Sequence, residues 1–182
     1  MKFKETNLEG SFILETEKLE DERGFFTRMF DAKLFDELGL NSKTVQCNVS
    51  HTKFKGTVRG FHYQLHPFEE TKLIRCTRGS IFDIIIDLRP NSPTFKKWNG
   101  FELNSKNYRQ LYVPKGFAHG FQSLEDDSEV FYQAIKTGYR LIDTASIYKN
   151  ETFVGEAIKR AIDEGIVGYR DDSIETVKRN EK

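Results

Sequence analysis

Residues 56–79 bring together side chains suited to proton transfer. The first part, residues 56–65, alternates in the manner of a half-buried strand, which places His62 on the same face as Gly60. A glycine on that face leaves room for a ligand or for another backbone to approach. After a short loop, a second strand-like run brings Lys72 into the same neighbourhood. The pattern predicts a pocket wall that carries an imidazole and an ammonium group.

These two groups, with a tyrosine from a later strand, would suit chemistry at a carbon next to a carbonyl. A neutral imidazole such as that of His62 is a base near cell pH, and the ammonium of Lys72 can stabilise a developing enolate. The phenol of Tyr132 can return a proton on the opposite face. Each residue also has a commoner structural role, as a satisfied histidine, a surface lysine or a core tyrosine, so both interpretations stay open.

Length and charge bound the classes of function. The chain has 182 residues, which suits one domain with a small appendage. Its 28 basic residues balance its 28 acidic ones, so no net field favours nucleic acid or an acidic membrane surface. Cys47 and Cys76 lack metal-type spacing, and the N-terminus has no apolar signal region. We therefore expect a cytoplasmic protein.

Many short apolar runs, separated by turns about every ten residues, predict an all-β sandwich or barrel. One short helix is expected over residues 31–38, ending at Gly39. In one strand Gln46 and Asn48 share a face and could bind hydroxyl groups or a pyrimidine edge, although an exposed sheet face gives the same pattern. Arg23 lies in a turn at the start of a strand, beside paired phenylalanines. A ligand contact and a solvated turn charge are both plausible there.

Six motifs in this order resemble the cupin-type dTDP-4-dehydrorhamnose 3,5-epimerase family over residues 1 to about 133: DERGFF (21–26), QCN (46–48), RGFHYQ (59–64), KLIR (72–75), DLR (87–89) and PKGFAHGF (114–121). The resemblance implies a jelly-roll barrel, a homodimer, and cofactor-independent action on dTDP-4-dehydro-6-deoxy-glucose, with no metal. It also implies that His62 is the base, that Tyr132 is the acid and that Lys72 lies beside the C4 oxygen. The implied ligand contacts are Arg23, Gln46, Asn48, Arg59 and His119.

The rest of the chain, residues 134–182, departs from that family. Residues 134–167 are similar to a strand-loop-helix fragment of aldo/keto reductases, in which Asp143 and Tyr148 match catalytic positions, and a charged tail follows. A (β/α)₈ barrel needs on the order of 250 residues, so we expect this β-loop-α appendage to be catalytically idle and to bind no NADPH. The aspartate that orients the catalytic histidine in the resembled family has no match here. Asp83, or a tail residue such as Asp171 or Asp172, is the candidate substitute.

Two alternatives remain beside the 3,5-epimerase. The first is an inactive or single-centre relative that keeps the sugar-nucleotide pocket without the family's C-terminal segment. The second is a metal-dependent cupin that would use His62, His66, Glu69 or Glu70, and His119. Against the second, the usual pair of histidines one residue apart is absent from the sequence.

Overall fold

The computed structural model describes residues 1–135, so the aldo/keto-reductase-like segment and the tail lie outside the described residues. Twelve strands and one helix make up this part. The first strands are β1 (Lys2–Glu5), β2 (Phe12–Glu15), β3 (Leu19–Asp21) and β4 (Gly24–Phe26), and the helix α1 (Ala32–Glu37) follows. The remaining strands are β5 (Thr44–Thr52), β6 (Val58–His62), β7 (Thr71–Arg78), β8 (Ser80–Asp87), β9 (Trp98–Asn104), β10 (Gln110–Val113), β11 (Phe117–Ser123) and β12 (Ser128–Ile135).

Two antiparallel sheets enclose the main core. A six-stranded sheet has the order β1-β2-β10-β7-β12-β5, and a four-stranded sheet has the order β6-β11-β8-β9. The core combines residues from both sheets, among them Ile74 and Leu111 from the first and Ile81, Ile85 and Phe121 from the second. Strands β3 and β4 form a separate hairpin. The prediction of a mainly β, cupin-like jelly-roll fold is confirmed.

The predicted helix is confirmed as α1, packed on the outside of the larger sheet. Asp31 caps its N-terminus by accepting a hydrogen bond from the Leu34 amide, and Gly39 follows its end with a φ of 69°. Phe35 of this helix is fully buried in a second cluster with Leu73 and Tyr112, among others. Within residues 1–135, the helix α1 lacks the length and apolar character needed to span a membrane.

Strand alternation decides which side chains face the space between the sheets. On β8, the core residues Ile81 and Ile85 alternate with outward-facing neighbours, so Asp83 and Asp87 share their inner face. On β7, Ile74 belongs to the inner core, and Lys72 therefore points inwards as well. Asp83, Asp87 and Lys72 thus direct polar side chains into the space between the two sheets.

Strand β6 departs from simple alternation. The predicted run over residues 56–65 ends as a strand at His62, and a β-bulge interrupts its pairing with β11. Arg59 lies opposite Phe121 and His62 lies opposite His119, so three steps on β6 match two on β11. Residues directly opposite each other share a face, and the bulge therefore turns both Arg59 and His62 inwards.

The glycine between them permits a close approach of two backbones. A Cβ atom added to Gly60 would lie 2.6 Å from the Gly120 Cα atom and 2.9 Å from the His119 carbonyl oxygen. Of the two uses that the sequence allowed for this glycine, room for another backbone is the one seen at this position.

Candidate active site

The predicted pocket wall forms at one end of the space between the sheets. His62, Gln64, Glu70 and Lys72 line a pocket together with Phe117 and two neighbours. His62 comes from the end of β6 in the smaller sheet, whereas Lys72 comes from the start of β7 in the larger one. The structure therefore brings together the imidazole and the ammonium group that the sequence placed on one wall.

Lys72 is held from two sides. Its Nζ atom lies 3.0 Å from a Glu70 carboxylate oxygen, and the two side chains are only 18% and 13% exposed. Its charge also acts on Asp83, whose pKa it helps to lower against the effect of burial. The ammonium group is thus held in a restricted position in the pocket that His62 also lines.

His119, which lies opposite His62 in register, forms a buried pair with Asp83. The His119 Nε2 atom lies 2.9 Å and 3.0 Å from the two Asp83 carboxylate oxygens, and the side chains are 2% and 0% exposed. Burial raises the pKa of Asp83, and the charge and hydrogen bond of His119 oppose that rise. The His119 Nδ1 atom is buried and has no hydrogen-bond partner within residues 1–135.

Tyr132 packs edge-on against His119, with their ring centroids 6.0 Å apart. Burial raises the pKa of its phenol, and the negative charge of Asp83 raises it further. The charge of Arg59 and a hydrogen bond with Ser50 act in the opposite direction. The net rise keeps the phenol protonated at neutral pH, which is the form that can donate a proton.

Gln46 and Asn48 lie on β5, which pairs with the strand β12 that carries Tyr132. Gln46 lies opposite Ala134, and Asn48 lies opposite Tyr132, so both amides share the inner face. The Gln46 amide donates to the Asn48 carbonyl oxygen at 3.0 Å, whereas the Gln46 Oε1 atom is buried without a partner among the described residues. This row of amides can therefore accept and donate further hydrogen bonds.

Arg59 binds residues at the C-terminal end of β5. Its Nε atom donates to the Thr52 hydroxyl at 3.0 Å, and a terminal nitrogen donates to the His51 carbonyl at 3.0 Å. These bonds hold the guanidinium near Tyr132. Its positive charge partly offsets the rise in the pKa of the phenol. Among the described residues, no further hydrogen bond is made by the side chain of Arg59, and its remaining donors suit an anionic ligand.

Arg23 lies apart from this group. It belongs to the turn of the β3–β4 hairpin, its side chain is 84% exposed, and it pairs with Asp21. The hollow that it lines is formed by residues of the hairpin itself, including Leu19 and Phe26. Within one chain, the structure does not bring this predicted ligand contact to the pocket of His62 and Lys72.

The residues considered for a metal site have separate partners. His66 lies 3.3 Å from Glu69 in an exposed loop, Glu70 is paired with Lys72, and His119 is paired with Asp83. The part of the chain that the structure describes contains no group of three metal-ligating side chains.

Two contacts were missed at the level of sequence. Asp83 was considered a substitute partner for His62, but its ion pair in the structure is with His119. Glu70 was considered only as a metal ligand, although it holds Lys72. The available signal was a charged residue, Asp83, within an otherwise apolar buried strand, because such a residue requires a partner. Asp171 and Asp172 lie outside the described residues.

Comparison with known proteins adds to this geometry. The chain matches the family model of dTDP-4-dehydrorhamnose 3,5-epimerase over residues 5–178. The protein of that name from Shigella flexneri is 46% identical over 129 residues, which cover 70% of this chain and 71% of the relative. The one from Methanothermobacter thermautotrophicus is 34% identical over 179 residues, or 98% and 96% of the two chains. A crystal structure of dTDP-4-dehydrorhamnose 3,5-epimerase from Bacillus anthracis, with TDP and PPi bound, gives a TM-score of 0.74 at 41% identity and covers 84% of this chain and 87% of that one.

Proposed function

We propose that this chain, which belongs to the dTDP-4-dehydrorhamnose 3,5-epimerase family, performs the family reaction with His62, Lys72 and Tyr132. It is an isomerase that epimerises dTDP-4-dehydro-6-deoxy-glucose at C3 and C5 in dTDP-rhamnose biosynthesis. The observation that carries the assignment of residues is the pocket in which His62 and Lys72 meet at the junction of the two sheets. No cofactor takes part in the proposed steps.

The ketone at C4 makes the hydrogens on both neighbouring carbons acidic. His62 removes the proton from C3 or C5, and the electron pair of the broken C–H bond moves into the enolate, whose oxygen carries the new charge. The ammonium of Lys72 stabilises this oxygen, since a positive charge in a water-poor pocket is most effective where negative charge develops. Tyr132 then returns a proton to the opposite face of the ring, which inverts the centre. Its burial supports this role because the phenol stays protonated.

The remaining inner-face residues suit the polar parts of a dTDP-sugar. Arg59 has a charged donor group suited to a diphosphate, and the amides of Gln46 and Asn48 suit hydroxyl groups or a base edge. His119 lies between Tyr132 and Asp83 and is suited to the sugar. We propose all four as ligand contacts.

A homodimer would account for Arg23. The β3–β4 hairpin exposes Leu19, Phe25 and Phe26 by 69%, 42% and 66%, and the edge strand β5 also exposes Val49 by 60%. Such apolar side chains on a protruding hairpin fit contact with a second copy of the chain. In that arrangement Arg23 from one copy would reach the pocket of the other. Light scattering of the purified protein should give twice the chain mass, and a monomer would contradict the proposal.

A cytoplasmic location is part of the same proposal. Cys47 and Cys76 are both free thiols, which suits a reducing compartment. Separation of the cytoplasm from the cell envelope of the producing organism would test it directly.

Deuterium exchange tests the reaction. In D₂O, incubation of dTDP-4-dehydro-6-deoxy-glucose with the protein should introduce deuterium at C3 and at C5, detected by mass spectrometry and NMR. Label at one position only would favour the single-centre alternative. Thermal stabilisation by dTDP without any exchange would favour the inactive binding relative.

A further inference from the structure

We propose that Asp83 is a positioning residue: it holds the His119 imidazole through Nε2, so that the ring offers Nδ1 as a hydrogen-bond acceptor to a hydroxyl group of the bound sugar. The inference rests on the proposed function and deepens it, because it assigns a means of recognition to a buried carboxylate that the proton-transfer steps do not use.

The first support is the placement of the pair. Asp83 on β8 and His119 on β11 both face the interior of the smaller sheet, and Phe121 is the register partner of Asp83. Nε2 forms a hydrogen bond with Oδ2 of Asp83 at 3.0 Å and lies 2.9 Å from Oδ1, and neither side chain is more than 2% exposed. Water therefore contributes little to holding this ring, and its orientation depends on the carboxylate.

The second support is the Nδ1 atom of His119, which is unpaired within the described part of the chain. An imidazole that donates through Nε2 to a carboxylate carries a lone pair on Nδ1 when it is neutral. Nδ1 of His119 is buried and lacks a partner among residues 1–135. A buried polar atom without a partner costs about 1–3 kcal/mol, and His119 lies opposite His62 in register, so its Nδ1 atom is a candidate for contact with a ligand group. A sugar hydroxyl is a donor of the required kind.

The third support is the charge around the pair. Lys72 contributes a positive charge close enough to lower the pKa of Asp83 against the effect of burial. The other groups that face the pair are His62, opposite His119 in register, and the neutral phenol of Tyr132. Asp83 thus has a positively charged neighbour besides the imidazole that it contacts.

The strand supplies a matched control. Asp87 is also fully buried on the inner face of β8, but its carboxylate binds Arg89, Ser92 and Thr94 instead of a histidine. Asp83→Asn and Asp87→Asn each replace a buried carboxylate of this strand by an amide of the same shape. Only the first should alter recognition of the sugar.

The first experiment measures the tautomer of His119 by long-range ¹H–¹⁵N NMR on protein labelled with ¹⁵N-histidine. The signals of His119 are assigned by their loss in His119→Asn. In the unmutated protein we expect the proton on Nε2 and a lone pair on Nδ1, with the Nδ1 signal shifting when dTDP-glucose is added but not when dTDP is added. A proton on Nδ1, or a shift of equal size with dTDP alone, would overturn the proposal.

The second experiment separates the sugar from the nucleotide by calorimetry. Asp83→Asn should weaken the binding of dTDP-glucose by about 10-fold to 100-fold, as expected when a supporting hydrogen bond to a ligand-binding histidine is removed. The affinity for dTDP should change by less than about 2-fold, and Asp87→Asn should leave both affinities within that limit. Equal effects of the two variants on dTDP-glucose would refute the role of Asp83.

These measurements do not depend on turnover. If the unmutated protein showed no deuterium exchange, the proposed function would fail while the tautomer and the two affinities could still be measured. If Asp83→Asn did not fold, the NMR experiment on the unmutated protein would decide the question by itself.

Discussion

Asp83 and Asp87 lie four residues apart on the same face of one strand, and both are fully buried, yet they differ in what surrounds them. Asp87 accepts hydrogen bonds from the Arg89 guanidinium at 2.7 Å and from the Thr94 hydroxyl at 2.6 Å. Burial alone would raise the pKa of Asp87, but the bonds from Arg89 and two hydroxyl groups outweigh it and hold the pKa at about 2. Asp83 instead meets His119, and burial raises its pKa.

The difference separates a closed structural network from one that we propose to bind a ligand. Around Asp87, the network is closed: Arg89 also donates to the Glu9 carbonyl at 2.8 Å, and so ties the end of β8 to the loop after β1. Around Asp83, within residues 1–135, both its Oδ1 atom and Nδ1 of His119 are buried without a hydrogen-bond partner. A satisfied buried network makes one conformation rigid, whereas an open one keeps a position for a ligand. The same strand therefore serves stability at one end and the site nearer its middle.

The strongest test of the functional region is His62→Asn. We expect turnover to fall by about 10²-fold to 10⁴-fold, because the general base is lost. His66→Asn is the matched control, since that histidine is 87% exposed in the following loop and pairs only with Glu69 among the described residues. It should retain activity within about 2-fold. Similar losses in both variants, measured by deuterium exchange, would remove the distinction between pocket and loop.

Gly60→Ala should affect both stability and activity. The added methyl group would lie 2.6 Å from the Gly120 Cα atom at a φ of 117°, so β6 must move away from β11 and displace His62. We expect a loss of about 2–4 kcal/mol in the free energy of unfolding, from overpacking and backbone strain together. Denaturant titration and steady-state kinetics would measure the two effects.

Gly39→Ala separates strain from crowding. This glycine has a φ of 69° after α1, and a Cβ atom there would meet nothing within 4 Å. We expect a loss of about 1–2 kcal/mol from the backbone conformation and unchanged kinetics. If Gly60→Ala cost no more than Gly39→Ala, the close approach of the two backbones would be unimportant.

Asp87→Asn should lower stability by about 1–3 kcal/mol at neutral pH, with unchanged catalysis, because charge-assisted hydrogen bonds are lost. The pKa of Asp87 is lowered on folding, so its ionised form stabilises the protein above the ordinary carboxyl pKa, and this contribution is lost as the pH falls from about 4 to about 2. Between these pH values, the free energy of unfolding should therefore depend less steeply on pH in the variant than in the unmutated protein. Equal pH slopes would contradict the assignment.

The smallest effect tests whether the two aspartates act independently. Their Cα atoms are about 13 Å apart along the strand, so the stability losses of Asp83→Asn and Asp87→Asn should add within about 0.5 kcal/mol. A double variant compared with the two single ones by denaturant titration provides the measurement. A larger coupling energy would mean that the two carboxylates belong to one network.

Local sequence rules predicted several elements correctly. The helix α1 was predicted because Asp31 can cap it and Gly39 can end it, and both features involve residues only a few positions apart. The inner face of β5, with Gln46 and Asn48, followed from a period of two. His62 and Lys72 were placed on one wall because a short loop joins their strands.

Other features of the site could not be predicted in this way. The bulge in β6 turns Arg59 to the same face as His62, although strict alternation would place them on opposite faces. Arg23 has a sequence neighbourhood suited to a ligand, but the hairpin that carries it stands away from the pocket of its own chain. A motif specifies the residue types, and the packing of the strands specifies where they meet.

The sequence by itself determined the mainly β architecture, the capped helix and the types of groups available for proton transfer, because these depend on neighbouring residues. Only the tertiary structure decided that Asp83 meets His119, whereas the contact of Asp87 with Arg89 is local in sequence. The first contact joins residues 36 positions apart through the register of β8 and β11, whereas the second joins residues two positions apart. Strand register is a property of the whole sheet, so the partner of Asp83 does not follow from the sequence of β8.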